Sequence, residues 1–307
     1  MKHTYTKYNK DKVEFEILLD NWLVNFNKEL FDNYAILSIA NDFESNKWRI
    51  NKFENFILNH IQETALTKKE IEALDGKHWS IIKKSISNLK IDENISELGE
   101  IFLYGVLKEY YNALPIVPKI FYKQNKNDYV KGADGVHITL CSSGKYHLWL
   151  GESKFYSDLD SAINSACNSV FEMLQDEKLR KENSIITNLN DIKDFLGDNS
   201  ESFIKMLSDR VSLDEIKKIL HIPISIIYEC EYTQAHLRKQ PVEFDSTYKN
   251  ILINKHKEKC EIMSQKLNNK LKNIPFIEKI KFHIIVFPIP NKQEIIQQIR
   301  NKFKDFQ

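Results

Sequence analysis

The chain has 307 residues, and 44 lysines and arginines against 43 aspartates and glutamates leave a formal net charge of +1. That balance excludes a wholesale polycation, so any contact with nucleic acid has to come from a local patch. No run of about 18 apolar residues occurs, which excludes a membrane-spanning helix. Glycine is scarce, 8 residues in all, yet six fall from Gly99 to Gly151, where backbone is expected to turn tightly or approach something closely.

In chain order, residues 1–90 read as a mostly helical N-terminal extension with one strand pair, a docking or regulatory segment, and 91–307 as the unit that carries the chemistry. The opening MKHTYTKYNKDKVEFE lacks the apolar core of a signal peptide. The four cysteines, at 141, 167, 230 and 260, form no C-x-x-C pair, so a reduced, cytoplasmic protein is expected. Thr67-Lys-Lys-Glu70 is a capping box opening a short helix that Gly76 stops. Apolar residues repeat at three and four across 79–89 and 95–114, so each is a helix, the second ended by Pro115. Residues 115–122 turn extended, and the runs 132–140 and 147–156 flank Cys-Ser-Ser-Gly-Lys as a hairpin. A helix from Ser157 to Leu174 follows, then helical pieces over 183–221 with a second capping box at Ser212 and Glu215. Strands at 222–228 and 281–287 are separated by a lysine-rich helix over about 246–273, and a helix from Asn291 closes the order. This alternation predicts an α/β fold with a mixed central sheet flanked by helices.

The glycine window holds three acidic groups: Glu97-Leu-Gly-Glu100, Asp134 between Ala133 and Gly135, and Glu152-Ser-Lys154. In a hairpin, opposed residues have position numbers of constant sum, and a turn centred on Ser143 sets Asp134 opposite Glu152. Opposed side chains share a face, with Cβ atoms about 5 Å apart, and Lys154, two residues on, returns to that face. Carboxylates that close repel unless a cation sits between them. Their oxygens suit Mg²⁺, with Mn²⁺ as its substitute, and the metal keeps several waters and accepts a phosphate oxygen. The ammonium of Lys154 can orient a water or stabilise charge developing at phosphorus. These are the parts for hydrolysing a phosphodiester. Glu97 and Glu100, three apart on one helix face, are candidates for a further metal ligand or a supporting base.

Asp134, a spacer of 17 residues and Glu152-x-Lys154, preceded by a Glu-bearing helix, resembles the PD-(D/E)xK nuclease superfamily over roughly residues 93–175. Ala133 stands where the motif's proline would be. More closely, ELGE, GADGVHI and LGESKFY are similar to the nuclease subunit (HamA-like) of the Hachiman antiphage defence system, formerly a domain of unknown function. The resemblance implies a restriction-endonuclease-like core, a bacterial or archaeal host, DNA as substrate and a partner helicase encoded nearby. It assigns Asp134 and Glu152 to the metal, Lys154 to the water, and Glu100 to an assisting role. No G-x-x-x-x-G-K-[ST] loop is present, so nucleotide hydrolysis is not expected of this chain. A homodimeric site-specific restriction endonuclease and a non-catalytic scaffold for the helicase are the rival readings.

Plainer readings stand beside each residue. Asp134 suits a turn, Glu152 and Lys154 suit a solvated strand face, and acids at a helix N-terminus answer the macrodipole. By strand alternation His137 and Ser153 should face away from the site, His137 as a core histidine. His256 and Cys260, four apart on a helix, make no zinc site by themselves. Tyr228, Tyr232 and His236 fit core packing as well as a nucleic-acid channel. Lys119, Lys123, Lys126 and Lys131 precede Asp134, and 249–281 is lysine-rich. Lys126, Lys131, Lys255 and Lys259 are the candidate contacts to a nucleic-acid backbone.

Overall fold

The computed structural model describes residues 14–22, 33–89, 97–117, 120, 132–140, 146–188, 200–208, 211–239 and 242–306. Its centre is a seven-stranded sheet in the order β1 (Glu16–Trp22), β2 (Tyr34–Ala40), β9 (Lys281–Ile289), β8 (Leu220–Glu229), β7 (Tyr146–Tyr156), β6 (Gly135–Leu140) and β5 (Leu114–Val117). The four middle strands, β2, β9, β8 and β7, are parallel to one another, while β1 at one edge and the β6–β5 pair at the other run antiparallel to their neighbours. Strands β8 and β9 are buried along almost their whole length, which is why they read as continuous apolar runs.

Helices cover both faces. Even-numbered residues of the strands, such as Ile36, Leu148, Leu150, Ile224 and Ile284, point into one core with α5 (Leu159–Met173) and α10 (Ser246–Leu271). Odd-numbered residues, such as Leu37, Trp149, Ile227 and Ile285, point into a second core with α1 (Ile50–Ala65), α4 (Glu97–Glu109) and α11 (Lys292–Lys304). The mixed sheet between helical layers is therefore as expected. The boundary at residue 90 is not a break between two cores. Strand β2 pairs with β9 in the parallel block and α1 shares a core with α4. Residues before 90 are thus built into the sheet, and they also carry a short ribbon, β3 (Phe43–Glu44) with β4 (Lys47–Trp48).

Local signals set most element ends. The Thr67–Glu70 capping box opens α2 (Lys68–Ala73), and Gly76 past its end takes φ +67°. Helix α3 (His78–Ser87) follows. Helix α4 stops at Glu109, short of Pro115, because Asn112 adopts the left-handed conformation (φ +52°) and the Ala113 N–H turns back to the Leu107 carbonyl. Pro115 instead lies inside the edge strand β5, where its missing N–H is tolerated. Asp158 rather than Ser157 caps α5. Helices α6 (Asp176–Asn188), α7 (Ser200–Leu207) and α8 (Leu213–Lys217) precede β8, with 189–199 and 209–210 outside the described residues, and α9 (Glu231–Leu237) follows it. The glycines of α4 serve close packing: a Cβ on Gly99 would lie 2.5 Å from Ser153 Oγ, and one on Gly105 2.4 Å from Phe56. No helix among the described residues is long and apolar enough to cross a membrane.

Candidate active site

The hairpin register is the expected one: Gly135 pairs with Gly151, Val136 with Leu150 and Leu140 with Tyr146. The turn itself, 141–145, lies outside the described residues. Asp134 stands one residue beyond the last ladder pair. Its N–H still reaches the Gly151 carbonyl at 2.7 Å, and its Oδ2 accepts the Ser153 N–H at 2.9 Å. The carboxylate thus replaces a strand partner at the point where β6 begins.

Asp134, Glu152 and Lys154 line one open cleft of about 640 Å³ with Gly132, Ser169, Glu172, Lys181 and Glu182 among its walls. Glu152 and Lys154 are even-numbered on β7 and face α5, whereas Ser153 lies against Gly99 of α4, as alternation requires. Lys154 Nζ is 2.5 Å from Glu152 Oε1 and 3.1 Å from Ser169 Oγ, so the ammonium is held over the cleft floor. Glu152 is only 6% exposed. Burial first, and then the charge of Asp134, push its pKa up to about 7 against the pull of Lys154.

Five carboxylates and three ammonium groups face this cleft, so by itself it repels a phosphodiester. A divalent cation at Asp134 and Glu152 would remove that repulsion and the strain on Glu152 together. Among the described residues no set of three or more His, Cys, Asp or Glu side chains is placed to hold a metal unaided. Mg²⁺ asks for less, since it usually takes one or two protein carboxylates and completes its shell with water and substrate oxygens. The donor set fits such an ion.

The other expected residues are distributed differently. Glu100 and Glu97 sit on α4, across the opposite face of the sheet from Glu152. Glu100 lines a small chamber behind Asp134 rather than the cleft, and Glu97 is buried at the start of α4. Lys126 and Lys131, with the expected strand end beyond 120, lie outside the described residues. Lys259 is held by both oxygens of Asp160 at 2.7 Å, and Lys255 lies 4.0 Å from Glu231, so each is engaged within the chain. His256 is a core residue between Ser38 and Tyr228, and His236 is buried against the Glu243 carbonyl.

Sequence reasoning missed Ser169 and Glu182. Ser169 had a signal: Ser165 and Ser169 are four apart on α5, and they meet Tyr156 and Lys154, two apart on β7. Glu182 had none. It comes from α6, is buried, and its Oε2 occupies the place a Cβ on Gly132 would need, 1.7 Å away. A second cleft of about 560 Å³ at the β3–β4 ribbon has no such arrangement, and its Arg49 is bound to Asp42 and Glu44.

A model of the HamA family matches residues 16–303. The chain belongs to the HamA family. HamA is a subunit of the Hachiman antiphage defence system, so the protein is a component of that defence, and membership implies a partner subunit. The match runs from β1 into α11, across residue 90 and through the whole sheet. No curated protein matches the chain.

Proposed function

We propose that this HamA-family protein is a metal-dependent deoxyribonuclease of PD-(D/E)xK type, the effector that a partner helicase supplies with DNA. The observation that carries the reading is the convergence of Asp134, Glu152 and Lys154 on one cleft, in the register that opposes the two carboxylates. Asp134 and Glu152 would hold Mg²⁺ or Mn²⁺, which when bound polarises a phosphoryl oxygen and makes water a better nucleophile at neutral pH. Lys154 keeps a positive charge beside the reacting phosphate, orients the attacking water and stabilises the charge that develops at phosphorus. Ser169 keeps the ammonium pointed there. Glu152 must be ionised to serve, so the ion has to compete with the proton that burial and Asp134 favour there. Glu100 supports Asp134 from the far side.

The test is Mg²⁺-dependent cleavage of linear and plasmid DNA by the parent and by Lys154→Met, with the partner subunit present. Lys154→Met keeps the aliphatic stem and should lower the rate at least about 100-fold. Cleavage by the variant at the parent's rate would overturn the assignment. Cleavage of one defined sequence by the protein alone would replace it with a restriction endonuclease, and no cleavage by the parent complex with a scaffold.

A further inference from the structure

Behind Asp134, on the α4 side of the sheet, lies a small chamber of about 10 Å³ lined by Thr64, Glu100, Tyr104, Ile120, Asp134, Gly135 and His137. That is the smallest size that admits a single water molecule. His137 is 2% exposed, and among the described residues neither ring nitrogen has a hydrogen-bond partner. Burial pushes its pKa down to about 3, so the ring is neutral, with one donor and one acceptor. A buried polar atom left unpaired is costly, a strong reason for the fold to supply a partner.

The surroundings leave few candidates for that partner. Tyr104, whose ring centre is 5.2 Å from that of His137, sends its hydroxyl to Glu63 at 2.6 Å. The Thr64 hydroxyl donates to the Ile61 carbonyl at 2.9 Å and so offers the chamber only a lone pair. Gly135 has no side chain to hold the ring away, since a Cβ there would be 3.4 Å from His137 Cε1.

We propose that the chamber holds one bound water joining His137 to the carboxylates of Glu100 and Asp134, which makes His137 a positioning residue for the metal site. The water accepts from the imidazole N–H and donates one hydrogen to Glu100 and the other to Asp134, reaching the two to four polar partners that a buried water requires. His137 thereby fixes Asp134 from behind while the Ser153 N–H fixes it from the strand. The inference rests on Asp134 being a metal ligand, as proposed above, for its functional part only. The water itself does not depend on that.

Two measurements test it. A crystal structure of the metal-free protein at about 1.5 Å should show one spherical peak within hydrogen-bond distance of His137 and of a Glu100 or Asp134 oxygen. An unfilled chamber would overturn the inference even if the protein cleaves DNA. Titration of Mn²⁺ into metal-stripped protein, followed by electron paramagnetic resonance, should show about tenfold weaker binding for His137→Phe, the scale set by loss of an outer-shell partner. His137→Gln, which keeps a donor and an acceptor, should return affinity to within about threefold of the parent. Equal Mn²⁺ affinity in parent and His137→Phe overturns the positioning role. Should His137→Phe not fold, a His137→Gln variant whose chamber lacks the water yet binds Mn²⁺ as the parent does would overturn it as well. A filled chamber in a protein that cleaves nothing would count against the nuclease reading alone.

Discussion

Replacing Glu152 with glutamine keeps the shape of the side chain and removes the charge that burial most resists. In metal-free protein the carboxyl holds its proton more tightly folded than unfolded, with a pKa pushed up to about 7 by burial and by Asp134. Such a group gives its full contribution below the unfolded value near pH 4.5 and loses it as the pH rises through 7. At 1.36 kcal/mol per unit, the stability lost above pH 7 is about 3 kcal/mol at most. The attraction of Lys154 is already inside that figure, being one of the influences that lower the pKa. Glu152→Gln should therefore match the parent near pH 5 and exceed it by about 1–3 kcal/mol at pH 8 in EDTA. With an unfolding entropy of about 2 cal/mol/K per residue, the midpoint should rise by roughly 2–5 °C.

Magnesium should reverse the order. A bound ion stabilises the parent by RT ln(1 + [L]/Kd), about 2.7 kcal/mol at a hundredfold excess over Kd, and the variant, left with a neutral amide oxygen in place of the carboxylate, gains much less. Thermal unfolding followed by circular dichroism, from pH 5 to 8 with EDTA and then with Mg²⁺, reads both effects. A variant less stable than the parent at pH 8 in EDTA would refute the idea that Glu152 is a strained charge. Equal Mg²⁺ shifts in the two proteins would remove Glu152 from the metal site.

Two further substitutions test how the site is supported. Gly105→Ala would set a methyl group 2.4 Å from Phe56 and 2.5 Å from His60; overpacking at about 1–3 kcal/mol should outweigh a helix-propensity gain of about 1 kcal/mol, and an unchanged urea midpoint would show that α1 and α4 can separate freely. His256→Leu removes the link between Ser38 at 2.5 Å and Tyr228 at 2.7 Å and leaves two buried hydroxyls unpaired. A loss of about 2 kcal/mol or more is expected in denaturant, with Mn²⁺ affinity unchanged; weaker metal binding would show that the long helix α10 also shapes the cleft.

The hairpin was legible because a period of two and a single loop leave little freedom: once the turn centre is fixed, Asp134, Glu152, His137 and Ser153 all have determined faces, and each is found on its own. The same arithmetic cannot orient a helix against a sheet. Glu97 and Glu100 share a helix face, but which side of the sheet that helix covers depends on the crossings of distant strands, and α4 lies opposite Glu152. Strand β2 was obscured for a similar reason, since its partner β9 is more than 240 residues away. The lysines of 249–281 read as a basic stripe, yet Lys259 and Lys266 are tied to Asp160 and Asn164 of α5. Their role in packing α10 onto α5 was invisible until the two helices were seen side by side.

The position of the cleft follows from a mismatch between two ladders. Strand β7 pairs with β8 all the way to Tyr156, but its antiparallel partner β6 ends at Gly135, opposite Gly151. From Glu152 onward β7 has lost one neighbour while remaining inside the sheet, so its backbone there needs a partner and its side chains gain an opening. Asp134 answers the first need by accepting the Ser153 N–H, and the cleft is the second. A carboxylate placed to finish a ladder is thereby fixed beside Glu152 without being buried beneath packing. The same geometry explains why charged residues survive in a strand otherwise apolar from Leu148 to Phe155. They occupy the stretch of β7 where the sheet itself leaves an open cleft.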